Sequence, residues 1–265
     1  MRLMKESKGA KILINISLEE NNFKLFLGFR KKFKRLLHKA YTMDKTIDIE
    51  LTADGSPTLY RADLDEHYHS VKGALAESLH VYIELGFAKA AEIGRDSIRI
   101  FEVGYGTGLN AALTLGRALK DRVPTHYYSV ELYPLASDIA DSISAYMPED
   151  VRLDLAATNE AEWNKSVELN QFFSIEKISG DLLTLSLPSD LDVVYFDAFA
   201  PEKQPELWSI DIFRKFHDAM CAGGILTTYC AKGKVRRMLQ EVGFRVERMP
   251  GPPGGKREVL RATKL

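Results

Sequence analysis

The sequence predicts an α/β fold, a mostly parallel sheet clad in helices with a terminal antiparallel strand. Three observations carry that expectation. From Ser97 onward, short apolar runs alternate with segments of helical periodicity, the pattern of successive β–α units. The first of those runs, Ile98-Arg-Ile-Phe-Glu-Val103, ends in a glycine cluster where a strand should feed a helix. The last two extended runs are joined by a Gly/Pro turn too short for a crossover, so they must be antiparallel neighbours.

Taken in order, residues 1–42 form a basic N-terminal arm, with 11 Lys+Arg against 3 Asp+Glu, while the other 223 residues hold 25 against 34. A basic arm on an acidic body favours nucleic acid through phosphate neutralisation. The plainer reading is an upstream extension, with Met43 as the natural start. Residues 43–95 read as a hairpin and a helix that contribute to a substrate site. Within them Ile47–Leu51 alternates apolar with polar, Asp54-Gly55 offers a turn, and Thr58–Tyr60 returns as the second strand. Ser70 is placed to cap a helix running to about Ile93, with Leu75, Leu79, Tyr82 and Ile83 at helical spacing.

Residues 96–265 read as the core. After Ile98–Val103 comes a helix to about Leu119, then a strand Tyr127–Glu131 and a helix from Pro134 to about Tyr146. Phe172–Ile178 and Leu191–Phe196 are the third and fourth strands. A helix from near Glu206, a strand Gly224–Tyr229 and a helix Val235–Val242 follow. Phe244–Arg248 and Glu258–Ala262 close the chain.

The sharpest local signal is Phe101-Glu-Val-Gly104-Tyr-Gly106-Thr-Gly108-Leu-Asn110. Its glycines let the backbone turn tightly and approach a ligand. The spacing is GxGxG, not the GxGxxG of nicotinamide and flavin enzymes, and an acid precedes it. A dinucleotide pyrophosphate prefers the positive end of a helix. S-adenosylmethionine carries a sulfonium and an ammonium but no phosphate, and Glu102 suits a cation. Glu131 ends the next strand, 23 residues after Gly108, where an acid accepts from a ribose diol. Asp181, in Ser179-Gly-Asp-Leu182, follows the third strand, and Asn110 closes the glycine motif. Singly these read as a structural turn, a helix-capping carboxylate and a turn aspartate. Together they point to a nucleoside-bearing cofactor, and with the reversed last strand to the Rossmann-like core of a class I S-adenosylmethionine methyltransferase.

Asp197 follows the apolar strand Val193–Phe196 and opens Asp-Ala-Phe-Ala-Pro201-Glu-Lys-Gln-Pro205-Glu-Leu-Trp208. Strand carboxyl ends face the crevice of an open α/β sheet, so Asp197 is aimed at the reacting centre. A carboxylate there holds an amine N–H, aligns its lone pair, or takes its proton. Phe199 and Trp208 have the faces to stack a base, though Trp208 reads equally well as core. Upstream, Glu66-His67-Tyr68-His69-Ser70 and Glu77 form a polar cluster. His69, Ser70 and Glu77 are expected on a substrate-facing lid rather than on a metal, since methyl transfer from a sulfonium needs none. Lys232, Arg236, Lys256 and Arg257 sit in or beside glycine-rich C-terminal segments and are candidates for phosphate contact. The competing reading is a solvated rim.

Composition is that of a globular chain with formal net charge −1. No apolar run of 18 residues occurs and no secretory cleavage pattern stands at the N-terminus, so neither membrane nor export is expected. Cys221 and Cys230 form no CxxC pair or disulfide framework, which fits the reducing cytoplasm.

Several motifs converge on one family. They are Tyr68-His-Ser70 with Gly73-Ala-Leu-Ala-Glu77, Phe101–Asn110, Asp197–Pro201 with Pro205–Trp208, Thr228-Tyr-Cys-Ala-Lys232 with Val235-Arg-Arg237, and Gly243-Phe with Pro250–Gly254 and Lys256-Arg-Glu258. From about Asp48 to Ala262 the chain resembles the tRNA methyltransferases that make 5-methylaminomethyl-2-thiouridine at the wobble position. Within them it is most similar to the monofunctional MnmD type, which is like the methyltransferase half of bifunctional MnmC. The resemblance implies S-adenosylmethionine-dependent N-methylation of a 5-aminomethyl-uridine in tRNA. It implies that Glu102, Gly104, Gly106, Gly108 and Glu131 hold the cofactor, that Asp181 meets adenine and that Asp197 serves the amine. In some bacteria a flavin oxidoreductase domain is fused to this one; no second glycine fingerprint is present here, so the expectation is a methyltransferase alone. Gly254-Gly255 carries one glycine more than the tight form of that turn. Two rival readings on the same fold are an aminopropyltransferase of the spermidine-synthase type and a non-catalytic RNA-binding module. Oligomeric state is not legible.

Overall fold

A computed structural model describes residues 47–62 and 64–265; the arm of residues 1–42 and a start at Met43 lie outside the described residues. Two antiparallel strands, β1 (Ile47–Leu51) and β2 (Pro57–Arg61), form the expected hairpin, and a short β3 (Glu66–His67) pairs with β2. Asp54 locks the turn, accepting hydrogen bonds from Thr52 Oγ1 and from the Ser56 amide. The helix α1 that follows begins at Ala74, not Ser70. Ser70 Oγ accepts from the Lys72 amide instead, so its hydroxyl caps a turn before the helix. α1 runs as Ala74–Ser78, widens to a π-helical stretch over Leu79–Ala88 and closes as Lys89–Ala91. The wider winding turns Val81, Tyr82, Ile83, Gly86 and Phe87 inward and leaves Leu79 at 39 % exposure, against the spacing read from sequence.

The core is an eight-stranded sheet. Its strands are β4 (Ile98–Val103), β5 (Thr125–Glu131), β6 (Ser166–Asn170), β7 (Phe173–Ser179), β8 (Leu191–Phe196), β9 (Met220–Thr228), β10 (Phe244–Pro250) and β11 (Glu258–Lys264). They lie in the order β10-β11-β9-β8-β4-β5-β7-β6. β7, β5, β4, β8 and β9 run parallel, and β11 is inserted antiparallel between β9 and β10. The antiparallel pairing of the last two strands matches the expectation, and the reversed strand is the last in the chain. β6, antiparallel to β7 at the far edge, was not foreseen.

The helices are α2 (Leu109–Asp121), α3 (Ser137–Ser144), α4 (Glu149–Glu160), α5 (Ile210–Ala219) and α6 (Gly233–Val242). α3 is shorter than the Pro134–Tyr146 span, and α5 starts at Ile210, capped by Ser209, whose Oγ accepts from the Ile212 amide, rather than near Glu206. α4 went unread because only Leu155 and Thr158 of it are buried. Strand alternation divides the core. Phe101, Val103, Val194 and Phe196 pack on one face with Phe213 and Phe216; Ile98, Ile100, Val193 and Tyr195 pack on the other with Tyr82, Phe87 and Tyr127. Residues Thr46–Leu265 form one compact unit, hairpin and core together. Among the described residues no helix is long and apolar enough to cross a membrane.

Phe216 is fully buried, with ring centroids 5.6 Å from Phe101 and 5.9 Å from Phe196. Phe216→Ala leaves a cavity there and should cost about 3–5 kcal/mol in denaturant unfolding; a loss under about 1 kcal/mol would mean that this face is not closely packed.

Candidate functional site

The strand order reverses at β4: β5 and β7 follow on one side, β8 and β9 on the other. The carboxyl ends of those strands meet along one edge, where a crevice opens. A pocket of about 500 Å3 lies there, and most of the residues singled out from the sequence line it: Gly104, Gly106, Asn110, Glu131, Asp181, Asp197, Phe199, His69, Ser70, Glu77, Lys232 and Lys256. Glu102, Gly108, Arg236 and Arg257 do not.

The glycine turn leaves β4 with Gly104 at φ 86°. A Cβ on Gly104 would stand 2.9 Å from the backbone carbonyl oxygen of Asp197, so only glycine allows β4 and β8 to close on one another at this point. The Asp197 amide donates to the Val103 carbonyl at 3.1 Å, fixing the same approach. Glu131, at the end of β5, accepts from the Gly106 amide at 3.1 Å and the Tyr133 amide at 3.0 Å. Burial raises its carboxyl above the ordinary range, and those amides oppose the shift. Asp181 accepts from the Leu183 amide at 2.9 Å.

Asp197 has two side-chain donors. Tyr82 OH reaches Oδ1 at 2.6 Å, and Asn110 Nδ2 reaches Oδ2 at 2.8 Å. Burial pushes the Asp197 carboxyl up to about 6, helped by the charge of Glu77 and resisted by these two donors and by Lys256. Tyr82 was read from sequence only as a helix-face residue. Its role was hidden because the π-helical winding, not helical spacing, aims it at β8.

Glu102 is corrected. It is fully buried beneath the pocket, and its oxygens are spent on Asn110 Nδ2 at 3.0 Å and Ser129 Oγ at 2.7 Å. It holds Asn110 in place rather than meeting a ligand. Burial pushes its carboxyl up to about 8. Asn110 donates to both carboxylates, and its Oδ1 is buried without a partner among the described residues.

On the opposite wall, Lys256 Nζ bonds Glu77 Oε2 at 2.8 Å and lies 3.9 Å from the Tyr229 ring centroid. It reaches the pocket from the Pro252–Gly255 turn, in which Gly255 N donates to Pro252 O and Gly254 takes φ 72°. Gly254 thus fills the left-handed position after Pro253, and the additional glycine is absorbed in an ordinary turn. Burial, then Lys256, lowers His69 to about 4, and its Nδ1 is buried without a partner among the described residues. Phe199 meets Tyr68 edge-on at 5.1 Å. Tyr229, which also lines the pocket, donates to the Ala198 carbonyl at 2.8 Å and steadies the loop after Asp197.

Trp208 is core: it packs on Phe196 and Phe213 at 3 % exposure, and its Nε1 donates to the Phe199 carbonyl from below. Arg236 lies on α6, where it bonds Gln240, and Arg257 is exposed in the turn before β11. Lys232 keeps its place on the rim but is paired with Glu202. Of the four basic candidates, Lys232 and Lys256 are therefore paired with carboxylates. Among the described residues no three His, Cys, Asp or Glu side chains are gathered as a metal site.

A family described as S-adenosyl-L-methionine-dependent methyltransferases matches residues 140–265. Over 230 residues the chain is 33 % identical to the tRNA 5-methylaminomethyl-2-thiouridine biosynthesis bifunctional protein MnmC of Cupriavidus necator, covering 80 % of this chain and 34 % of that protein. The protein of the same name from Pseudomonas fluorescens is 32 % identical over 220 residues, covering 76 % of this chain and 32 % of its own length. The chain thus spans about a third of the length of these curated relatives. The crystal structure of MNMC2 from Aquifex aeolicus aligns with a TM-score of 0.71 at 28 % identity, over 94 % of this chain and 78 % of that one. Spermidine synthase from Thermotoga maritima, at TM-score 0.54 and 14 % identity over 83 % and 69 %, shares the fold.

Glu102 yields a pH prediction. Its folded carboxyl sits near 8 against an ordinary 4.5, so stability falls as pH rises from about 4.5 to 8 and is level above. Glu102→Gln keeps the shape and cannot ionise. Its melting temperature relative to the wild type should climb between pH 5 and pH 9. Parallel curves would show that Glu102 carries no raised pKa.

Proposed function

The chain belongs to the S-adenosyl-L-methionine-dependent methyltransferases, with S-adenosylmethionine as its cofactor, and from that premise we propose that it methylates the primary amine of a 5-aminomethyl-(2-thio)uridine at the wobble position of tRNA, giving the 5-methylaminomethyl product. Asp197 carries the reading. It is held by two neutral side-chain donors at the sheet's switch point, and it faces a pocket walled by Phe199, Tyr68 and Tyr229. The names of the relatives, which concern tRNA 5-methylaminomethyl-2-thiouridine biosynthesis, support the choice of substrate.

The residues present fit the cofactor. The unpartnered Asn110 Oδ1 offers an acceptor to an ammonium, and Glu131 offers carboxylate oxygens to a ribose diol. Gly104 and Gly106 leave the backbone open beside them, and Asp181 stands farther along the same pocket. When bound, S-adenosylmethionine supplies an electrophilic methyl group on a sulfonium. Attack requires a neutral amine with its lone pair aligned, and Asp197, by accepting an N–H, supplies the alignment. Tyr82 and Asn110 leave that carboxylate a single orientation. Phe199 and Tyr68 present ring surface to a pyrimidine, and Lys256, though paired with Glu77, adds positive charge to the same wall.

Asp197→Asn should keep cofactor affinity, read by calorimetry, while turnover falls about 10²–10⁴-fold. Turnover is followed as label passing from S-adenosylmethionine into tRNA of a strain lacking the modification, with nucleoside analysis of the product. Label in polyamine, or in nothing, would end the tRNA reading.

The same carboxylate sets the acid limb of the wild-type profile. Asp197 works ionised, so kcat/KM should rise as pH climbs through about 6 and should be lost below it. A profile flat from pH 5 to 7 would show that the reaction does not need the Asp197 carboxylate ionised.

A further inference from the structure

Beneath the glycine turn lies a charged group with no part in the chemistry above. Lys177, on β7, is 1 % exposed, and among the described residues no carboxylate pairs with it. Its Nζ sits 5.1 Å from the Tyr105 ring centroid and 4.9 Å from that of Trp163, two rings packed edge-on at 5.4 Å. One N–H donates to the Asn159 carbonyl at 2.8 Å. The Asn159 side chain continues the line: its Oδ1 accepts from Tyr105 OH at 2.7 Å, and its Nδ2 donates to the Thr107 carbonyl at 3.3 Å. Tyr105 and Thr107 are the two residues between the motif glycines, and Tyr105 and Gly106 line both the cofactor pocket and a second cavity that Lys177 lines.

We propose that Lys177 is a positioning residue for the cofactor, its positive charge clasping Tyr105 and Trp163 and so holding the Tyr105–Thr107 segment in its binding conformation. A buried ammonium is costly unless rings and carbonyls replace its water. Here two ring faces and one carbonyl do so, and they are the same groups that hold the turn. Removing the charge removes their common centre. Burial brings the ammonium down to about 8, so its charge is lost just above neutrality. The other titratable groups around this cavity are Tyr105 on the turn, Asp141 on α3, Glu160 on α4 and Glu162 after it, the last paired with Lys165. Burial keeps the Tyr105 phenol protonated well beyond this range. The sign follows: cofactor affinity is full below about pH 8 and declines above it.

This inference rests on the cofactor and not on the tRNA reading, and its test contains no tRNA. S-adenosylhomocysteine is titrated calorimetrically into the full chain between pH 6.5 and 9.5, with Lys177→Met, Lys177→Arg and Trp163→Phe beside the wild type. The ligand's own amine titrates identically in every case, so ratios of Kd isolate the protein. At pH 7 Lys177→Met should bind about tenfold more weakly, a gap that closes above pH 8 as the wild type loses its charge. Trp163→Phe should fall between. Lys177→Arg, whose charge does not titrate, should bind near the wild-type level at pH 7 and surpass it at pH 9. Equal affinity of Lys177→Met and wild type at pH 7, or a ratio constant across the range, overturns the proposal. Should Lys177→Met fail to fold, the Arg-to-wild-type ratio decides alone: a rise above pH 8 supports the role and a flat ratio refutes it.

Discussion

The whole site depends on one amide shared between two buried carboxylates. Asn110 Nδ2 spends one hydrogen on Glu102 at 3.0 Å and the other on Asp197 at 2.8 Å. Two anions this close to one nitrogen would repel, and in a buried setting the repulsion is little screened. The conflict is relieved by separating their ionisation. Glu102, fully inside the sheet, is pushed up to about 8, whereas Asp197, at the pocket, is pushed only to about 6. Between those values one carboxyl is neutral and the other charged. The charge therefore resides at the pocket surface, and the amide is oriented by both.

Every element near the pocket serves that placement. β4 and β8 close on each other only because Gly104 has no side chain to meet the Asp197 carbonyl. α1 gives up regular winding over Leu79–Ala88, and the result brings Tyr82 to Oδ1 of the same aspartate. A π-helical stretch is less favourable than an α-helix and persists where its surroundings hold it. Here the reward is a short hydrogen bond to the one carboxylate that faces the chemistry. Trp208, from the core, ties the Phe199 carbonyl, and Tyr229 ties that of Ala198. The loop after β8 is thus fastened from two directions.

Much of this was legible in the sequence, for physical reasons. Strands in the middle of the sheet are rich in β-branched and aromatic residues, so β4, β5 and β8 could be read, and the glycine turn and Asp197 followed from their ends. Amphipathic signals fade where one element barely touches the core, which is why α4 and the edge strand β6 were missed. Charge reads poorly without a partner list. Glu102 resembles a ligand acid until Ser129 and Asn110 are seen to occupy it, and the basic side chains Lys232 and Lys256 resemble a phosphate rim until Glu202 and Glu77 are seen beside them. Tyr82 and Lys177 carry no local signal at all. One is aimed by an irregular helix and the other lies in a strand, and both matter through contacts distant in sequence.

On the proposed reading, proton affinities decide what Asp197 can do. An alkylammonium holds its proton near 10 in water, about four units above the carboxyl at about 6, so direct transfer to Asp197 costs roughly 5–6 kcal/mol. That cost falls only if the amine is made more acidic on binding. The pocket has two means of doing so: removal of water from the ammonium, and the positive charge of Lys256, which is paired with Glu77 at 2.8 Å. Tyr82 and Asn110 act in the opposite sense, since donors to a carboxylate stabilise its charge and lower its basicity. A site built to abstract protons would omit them. Their presence favours orientation over abstraction as the main service of Asp197: the carboxylate holds one N–H of an amine already neutral and turns the lone pair toward the methyl group.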